Sequence, residues 1–287
     1  MRQPIPRKIV FLACVLLFTA LSVAMMPPAL SALPNLSSDA TTAPKLLSDP
    51  FLQAPSATSV QVVWFTEFEG IEHRVEYGDD LRSPSTAIAV TTQLSRTRED
   101  ADSNVPGRTY TELTARPIWR HEATVAGLTA GKRLGYRVMS QTENGQQVQS
   151  DRFTLSPAPS PGQPLKILLT SDHQLKPLTP ANLQKVEELL AEKGTGPLDA
   201  IFFAGDLVNV PDRASEWFDD AGGLAFFPGL QGHSTHLLEK EGSGQKGPDK
   251  TTTTTNYKGG QLIQHTPLFP IVVFQDFIGL YSDIETL

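Results

Sequence analysis

Two aspartates, each placed directly after an apolar run, are the residues of this sequence whose type and spacing best suit chemistry. Asp172 follows residues 165–171 (LKILLTS), and Asp206 follows residues 198–205 (LDAIFFAG). Two carboxylates in one crevice repel each other unless a proton or a cation lies between them. Oxygen ligands suit hard divalent cations and are accepted by zinc and iron. The pair therefore indicates a metal site, whereas either aspartate alone is equally well explained as a helix cap or a loop residue.

The segment between the two aspartates predicts the elements that would bring them together. Residues 181–193 carry leucine and valine at helical spacing, and glycines at 194 and 196 are suited to the helix end. Thr179 and Pro180 are suited to the helix start, as a cap and a first-turn proline. A strand, a helix and a second strand of this kind place both strands parallel in one sheet. Ligands bind at the carboxyl edge of such sheets, where both aspartates would lie.

The first half of the chain predicts an all-β sandwich, because short strand-like runs alternate with turn residues. The runs are residues 59–66, 71–77, 120–126, 133–138 and 146–153. Val60, Val62 and Trp64 share one face of the first run. Leu128 followed by Tyr136 resembles the tyrosine corner of immunoglobulin-like and fibronectin-type sandwiches, in which the phenol bonds back to the preceding connection. A half-buried strand aromatic is the alternative for Tyr136.

A proline-rich segment, residues 156–164 (SPAPSPGQP), divides the two halves. Repeated proline removes backbone donors and blocks regular structure, so the domain boundary is expected there. The fold class predicted is therefore two domains, an all-β fibronectin- or immunoglobulin-like sandwich followed by an incomplete α/β (βαβ) domain. The bounds are residues 45–157 and 165–287, and the sandwich is expected to fold by itself.

The N-terminus has the order of a secretory signal. Arg2, Arg7 and Lys8 precede an uncharged run, residues 9–26, and small residues follow it. The run is also long enough to cross a bilayer, so residues 1–32 are either a cleaved signal peptide or a membrane anchor. The single cysteine, Cys14, lies inside the run, which leaves a lipoprotein signal as a further alternative. Export to the periplasm or the extracellular space is expected.

Charge and composition exclude one class of function. The formal net charge is −7, with 39% hydrophobic and 19% charged residues, which is typical of a globular protein. Nucleic-acid binding is disfavoured, because phosphate backbones require a basic surface. Contact with a membrane is expected only through the N-terminal segment, if it is not removed.

Two short motifs and their order resemble a known superfamily. Residues 170–174 (TSDHQ) and 205–209 (GDLVN) resemble the first two motifs of the calcineurin-like metallophosphoesterases. The proline-linked sandwich ahead of them looks like the N-terminal domain of purple acid phosphatases. Residues 49–53 (DPFLQ), 75–78 (VEYG) and 124–128 (TVAGL) are similar as well. The likeness spans most of residues 45–270, and the order of the motifs is more specific than any one of them.

This resemblance implies a two-metal centre of iron, zinc or manganese, occupied by divalent or trivalent ions. The metal ligands carried over are Asp172, the bridging Asp206, and Asn209, which stands where the purple subgroup has a tyrosine. Such a pair of metals clamps a phosphate and activates water for in-line attack. His173 directly follows the first aspartate, and three roles stay open for it: metal ligand, donor to a ligand, or exposed residue. No catalytic acid or base is identified.

The sequence departs from the family pattern towards its end. The family has a Gly-Asn-His-Glu/Asp motif after a third strand, and later a lone histidine and a Gly-His-x-His. Residues 264–270 (QHTPLFP) resemble the approach to the third strand, but residues 271–287 contain no histidine. His233, His236 and His265 come earlier, do not match the missing motifs, and are expected to be loop residues. The metal site is therefore expected to be incomplete, as in a truncated or frameshifted domain.

Two function classes remain from the sequence. The first is a metal-dependent phosphoesterase, resembling an acid phosphatase that hydrolyses small phosphomonoesters, in a truncated form that is weakly active or inactive. The second is a non-catalytic exported binding module built on the sandwich. Intact downstream histidines would favour the enzyme, and their absence keeps the second class open.

Overall fold

The computed structural model describes residues 43–241 and 252–271. The expected signal or anchor segment, residues 1–32, lies outside the described residues, as do residues 272–287. Within the described part, no helix is both long and apolar enough to cross a membrane. The described residues belong to one compact unit.

The regular structure of the described chain ahead of residues 156–164 consists of strands. In chain order they are β1 (Phe51–Gln53), β2 (Ser59–Thr66), β3 (Glu72–Gly78), β4 (Ser85–Ile88), β5 (Val90–Gln93), β6 (Arg98–Glu99), β7 (Thr114–Ala115), β8 (Trp119–Ala126), β9 (Leu134–Gln141), β10 (Gln147–Gln149) and β11 (Phe153–Leu155). Strands β1-β2-β8-β5 form one antiparallel sheet, and β10-β9-β3-β4 form a second, to which β11 is added beside β9. The β-rich first half predicted from the sequence is thus present.

The run predicted at residues 146–153 is two strands rather than one. Ser150 lies between β10 and β11, and its hydroxyl accepts the Val138 amide at 3.0 Å. The Ser150 amide in turn donates to the Val138 carbonyl at 3.0 Å. Both backbone groups of Val138 are therefore taken by a residue outside the strands, and the ladder is interrupted.

The sheet that contains β2 lies between two cores, so both of its faces are buried. Val62 and Trp64 point into the core between the two sheets. Val63 and Phe65, on the opposite face of the same strand, belong to a second core shared with the second half of the chain. The four consecutive apolar side chains of β2 are explained by this double burial, because a strand with one solvated face alternates apolar and polar residues.

Tyr136 does not form the predicted tyrosine corner. Its side chain is fully buried, and its hydroxyl donates to the carbonyl of Gln264 in the second half of the chain, at 2.7 Å. The expected bond to the connection before β9 is replaced, because the segment around Gln264 packs against this end of the sandwich. Leu52, on β1, makes a similar backbone bond to the Ile263 carbonyl at 3.1 Å.

The second half contains the helices of the described chain and a short parallel sheet. Its elements are β12 (Ile167–Thr170), α1 (Thr179–Glu192), β13 (Ala200–Phe203), α2 (Ala214–Phe218), α3 (Phe226–Gln231), β14 (His236–Glu241), β15 (Thr252–Tyr257) and β16 (Leu268–Pro270). Strands β12, β13 and β16 lie side by side in that order, and both pairings are parallel. The predicted strand–helix–strand unit is present, with β16 as a third parallel strand.

Helix α1 differs from its prediction at the start. Thr179 was expected as the cap, but the cap position is Leu178, which makes no side-chain capping bond. The helix begins one residue early because Pro180 occupies the first turn, where its missing amide needs no partner. The end agrees with the sequence, since Gly194 follows the last turn with a φ of +60°.

Strands β14 and β15 form an antiparallel hairpin where the sequence predicts a flexible excursion over residues 242–260. The pairing runs from His236 opposite Tyr257 to Glu241 opposite Thr252. Consecutive threonines favour extended backbone because their branched Cβ restricts the side chain, which accounts for β15.

Among the described residues, the parallel sheet is covered on one face and open on the other. Ile201, Phe203 and Leu268 are buried with α1 and α3 in the core shared with β2. On the opposite face, Leu169 is 71% exposed and Ile167 is 46% exposed. Parallel sheets normally have both faces covered.

Candidate metal centre

Asp172 and Asp206 lie at neighbouring strand ends, as the sequence predicts. Asp172 comes two residues after β12 and Asp206 three residues after β13, and the two strands are adjacent and parallel. Two backbone bonds, both 3.3 Å long, tie the loops together: the Asp172 amide donates to the Gly205 carbonyl, and the Gln174 amide donates to the Asp206 carbonyl. The sheet therefore holds the two aspartate backbones side by side.

Both aspartates have left-handed backbone conformations. The φ angle is +58° at Asp172 and +54° at Asp206. A residue other than glycine is disfavoured there, at a cost of about 1–2 kcal/mol, although aspartate tolerates it better than most. Such strain occurs where the surrounding structure requires it, and it is concentrated at functional sites. The shared conformation supports a common purpose for the two residues.

Gln174 links the two loops through its side chain. Its Nε2 donates to Asp206 Oδ2 at 3.1 Å. Its Oε1 is buried and has no hydrogen-bond partner among the described residues. A buried amide oxygen without a donor is costly, and a cation beside Asp206 would satisfy it. Gln174 is not among the ligands predicted from the sequence, so its link to Asp206 is seen only in the structure.

Asp172 faces solvent, and the positively charged Lys176 lines the same cleft. Its Oδ2 accepts the Ser171 hydroxyl at 2.6 Å. It lines a cleft of about 190 Å³ between β12 and α1, together with Lys176 and Asn182. Because the whole chain is acidic, a lysine at this cleft is the kind of local positive charge that an anionic substrate would need.

Asn209, the third predicted ligand, is exposed in the loop after β13. Its backbone amide donates to Glu216 Oε2 at 2.6 Å, so the loop is fixed by its backbone. Glu216 is 2% exposed and lies on α2, and the sequence gives no signal for this role beyond its place seven residues after Asn209.

His173 is buried at 8% exposure, so the exposed role left open by the sequence is wrong. Its Nε2 is 2.8 Å from the Thr170 hydroxyl, and its ring packs edge-on against Phe203 with centroids 4.5 Å apart. Burial lowers the pKa of His173 to about 4, with the Asp172 carboxylate opposing that shift. His173 is therefore a neutral, buried histidine that supports the loop beneath the two aspartates.

The remaining histidines of the second half have structural partners. His233 Nε2 is 2.7 Å from Asp49 Oδ2, and this carboxylate raises the pKa of His233. His265 Nδ1 accepts the Thr154 amide at 3.2 Å, and burial lowers its pKa to about 4. His236 Nδ1 is 3.0 Å from the Gly222 carbonyl. These bonds place the three residues in loops or at a strand end and away from the two aspartates.

The donors present suit one hard cation and not a pair of metals. Within residues 43–241 and 252–271, no group of three or more histidine, cysteine, aspartate or glutamate side chains is arranged to hold a metal ion. The oxygen donors in the two loops that follow β12 and β13 are the carboxylates of Asp172 and Asp206 and the amides of Gln174 and Asn209. A single cation that keeps several waters matches this set. A two-metal cluster needs more ligands, so no reaction step is derived through one.

Comparison with known proteins gives no family assignment. No family model matches the chain, and a search of curated proteins found no match. Among solved structures, the chain is similar to purple acid phosphatase PPD1 from yellow lupin (Lupinus luteus) seeds, with 15% identity and a TM-score of 0.49 over 80% of this chain and 35% of that chain. It therefore spans about a third of the length of that phosphatase.

Two further solved structures are similar over smaller shares of the chain. One is the Br derivative of BhCBM56, with 14% identity and a TM-score of 0.25 over 40% of this chain and 99% of that one. The other is a Yersinia enterocolitica family 28 exopolygalacturonase, with 13% identity and a TM-score of 0.23 over 57% and 28%. Identities and TM-scores this low assign neither family nor function, which leaves the site geometry as the basis for a functional conclusion.

Proposed function

We propose that this chain carries the strand-end part of a metallophosphoesterase-type site, which binds one divalent cation weakly and hydrolyses small phosphomonoesters poorly or not at all. The observation that carries the proposal is the pair Asp172 and Asp206, both in left-handed conformations after adjacent parallel strands. The Oε1 of Gln174, which has no hydrogen-bond partner within residues 43–241 and 252–271, adds an oxygen donor beside Asp206.

Weak binding follows from the number and type of donors. Two carboxylates and two amide oxygens compensate little of the hydration that a divalent cation loses, so the cation keeps several waters. When bound, such a cation polarises a phosphoryl oxygen. Lys176 would bind the anionic phosphate electrostatically, and Asp172 and Asp206 would hold the cation beside it. In-line transfer with both oxygens clamped requires a second metal, so we expect slow turnover or none.

Cation binding is tested by calorimetric titration with Mn²⁺. We expect the unaltered chain to bind it with a Kd on the order of 10⁻⁴–10⁻³ M, as in low-affinity protein sites. Asp206→Asn and Asp172→Asn should each weaken binding by about ten-fold or more, because each removes a direct ligand charge. Asp79→Asn is the matched control, since Asp79 is an exposed carboxylate in the first half. Equal affinity in all four proteins would contradict the proposed site.

Activity is tested separately with p-nitrophenyl phosphate and added Mn²⁺. We compare this chain with a version extended by the third motif and the later histidines of the metallophosphoesterases, each with its Asp206→Ala variant. We expect the extended version alone to turn over above the background of its variant. Equal turnover by the two versions, abolished by Asp206→Ala in each, would contradict the expectation that this chain is a poor enzyme.

We also propose that the chain is exported and acts in the periplasm or outside the cell, on the basis of residues 1–32. Cell fractionation with an antibody to the second half tests this directly. Recovery in the cytoplasmic fraction would contradict it.

A further inference from the structure

A buried glutamate on α2 holds the loop that carries two of the proposed ligands. Glu216 Oε2 accepts the amide of Asn209 at 2.6 Å and the amide of Val210 at 3.1 Å. Glu216 is 2% exposed, so its carboxylate is shielded from water. Bonds from backbone amides to a carboxylate are charge-assisted and stronger than bonds between neutral groups. The backbone that follows Asp206 is therefore fixed by a side chain from outside the strand ends.

Glu216 is itself held in place from the first half of the chain. Arg213 Nη1 donates to Glu216 Oε1 at 2.9 Å, and Arg213 Nη2 donates to Asp100 Oδ1 at 2.9 Å. Asp100 belongs to the segment that runs from β6 to β7, which we call the arm (residues 98–115). The backbone of the arm also reaches this region, since the Arg98 amide donates to the Asp212 carbonyl at 2.9 Å. The arm is thus connected to the loop through Arg213 and Glu216.

The bonds of Glu216 exclude a role as a metal ligand. One of its oxygens accepts two amides and the other accepts an arginine, so both are already engaged by donors. Its charge is balanced by Arg213, whose pKa is raised; burial opposes the shift, and the bond to Asp100 produces it. Glu216 acts on the loop through the backbone alone.

A second anchor fixes α2 without touching the loop, which provides a control. Glu99, fully buried at 0% exposure, accepts Arg116 Nη1 at 3.0 Å and the Ser215 hydroxyl at 2.8 Å. Arg116 also donates to both carboxylate oxygens of Asp219, at 2.8 and 2.6 Å. Loss of Glu99 would remove its bond to Ser215 while leaving the contacts of Glu216 with Asn209, Val210 and Arg213, and that of Arg213 with Asp100, intact.

We propose that Glu216 is a positioning residue for the cation site, and that the arm of the first half controls this positioning through Asp100 and Arg213. The inference rests on the proposed function, because the loop it positions carries Asp206 and Asn209. The first half would then help to set the geometry of the cation site, in addition to packing against the second half. Residues outside the ligand set that orient ligands typically change metal affinity by about ten- to a hundred-fold.

The test compares Glu216→Gln with Glu99→Gln in the full chain. Each change replaces a buried carboxylate by an amide of the same size, and both are expected to lower Tm. Amide hydrogen exchange of residues 205–211 and Mn²⁺ affinity are then measured on both. We expect Glu216→Gln to increase that exchange and to weaken Mn²⁺ binding by about ten-fold, and Glu99→Gln to change neither. Asp100→Asn, which leaves Glu216 in place, should produce a smaller change of the same kind.

The two readouts separate the failure of this inference from failure of the proposed function. If the unaltered chain binds no Mn²⁺, the proposed function fails, and exchange at residues 205–211 still decides whether Glu216 orders the loop. If Glu216→Gln does not fold, Asp100→Asn decides in its place. Exchange and Mn²⁺ affinity that respond equally to the Glu216 and Glu99 changes, or to neither, would overturn the inference.

Discussion

The two halves of this protein place their polar residues in different ways. In the first half, the rings of His73 and His121 stack at a centroid distance of 3.7 Å, and each ring nitrogen is bonded to a hydroxyl or a carbonyl. In the second half, Asp172 and Asp206 stand at a sheet edge in strained conformations. Fully satisfied polar groups stabilise a fold, whereas backbone strain at residues other than glycine is concentrated at functional sites. Chemistry is therefore expected at the strand ends of the second half.

The sheets differ as well. The sheet that contains β2 is buried on both faces, while the parallel sheet of the second half has an open face with Leu169 71% exposed. The first half also contributes Phe51 and Phe65 to the core around Phe227. The halves therefore differ in their polar chemistry but share the largest apolar core of the described residues.

The largest effect is expected from separating the halves. The sequence predicts that residues 45–157 fold by themselves, but their isolation would expose Phe51, Val63, Phe65 and Ile118, all buried in the shared core. Loss of this burial removes about 1.5–3 kcal/mol for each such side chain, a sum comparable with the whole stability of a typical small domain. We expect no cooperative unfolding transition for residues 45–157 by circular dichroism. A sharp transition matching that of the whole chain would show that the halves are independent.

The next largest effect is the loss of stability when a phenylalanine of the shared core is truncated, compared with one on the open face of the parallel sheet. Phe227 is 1% exposed and contacts Phe51, Phe65 and Phe218. Phe227→Ala should lower the free energy of unfolding by about 3–5 kcal/mol. Phe269, half-buried beside Phe202 in the open sheet, is the matched control, and Phe269→Ala should cost about 1 kcal/mol or less. Urea unfolding measures both, and equal losses would contradict the proposed difference between the two faces.

The next effect, smaller for each residue concerned, is expected from acid, through the buried histidines. Burial lowers the pKa of His73, that of His121 to about 3, and those of His173 and His265 to about 4, from an ordinary value of 6.5. Below pH 6.5 the unfolded chain binds more protons at these residues than the folded chain. Stability is therefore complete above pH 6.5 and falls with pH, by about 1.4 kcal/mol per pH unit for each histidine that stays neutral.

The measurement is the free energy of unfolding in urea between pH 7 and pH 5, above the range where carboxylates titrate. His121→Gln should reduce the slope in that range by about one proton. His233 provides a contrast, because its raised pKa makes its pairing with Asp49 contribute below pH 6.5 and fade as the pH rises through the folded value. Stability that stays constant from pH 6.5 to pH 5 would show that the histidines are not held neutral.

The smallest effect concerns backbone strain at the site. Asp172→Gly should raise the free energy of unfolding by up to about 1 kcal/mol, because glycine accepts a φ of +58° without strain, while Mn²⁺ binding is lost. Asp151→Gly is the control, since Asp151 is exposed and is not among the described residues with positive φ. It should be neutral or slightly destabilising, as expected from chain entropy. Thermal unfolding measures both, and destabilisation by Asp172→Gly would indicate that the left-handed residue makes stabilising contacts.

Much of the local structure could be predicted from the sequence because it depends on neighbouring residues. Strand β2 has the predicted bounds, since β-branched and aromatic residues end there at a turn. Pro180 and Gly194 mark the ends of α1 because each has a backbone restriction or freedom of its own. The adjacency of Asp172 and Asp206 follows from the same reasoning, because residues after parallel strands joined by a helix meet at one sheet edge.

Other features depended on contacts between distant segments. The hydroxyl of Tyr136 could have bonded to the nearby connection, and only the packing of residues near Gln264 gave it another acceptor. The apolar residues Val63 and Phe65 were visible in the sequence, but their burial required a partner 150 residues away. Glu216 gave no motif at all, because a carboxylate that accepts backbone amides is recognised by distance and not by spacing.

The sequence by itself determined strands β2, β3, β8 and β9 of the first half, but not β4 to β7. It also determined the strand–helix–strand unit of the second half and the pair of aspartates at its strand ends. These follow from side-chain periodicity, from proline and glycine, and from the geometry that parallel strands impose. The tertiary structure alone decided that the two halves share a core, that His173 is buried against Phe203, and that Glu216 and Arg213 connect the arm to the Asp206 loop. The physical reason is that a buried contact between distant segments depends on how their surfaces fit, which local propensity does not encode.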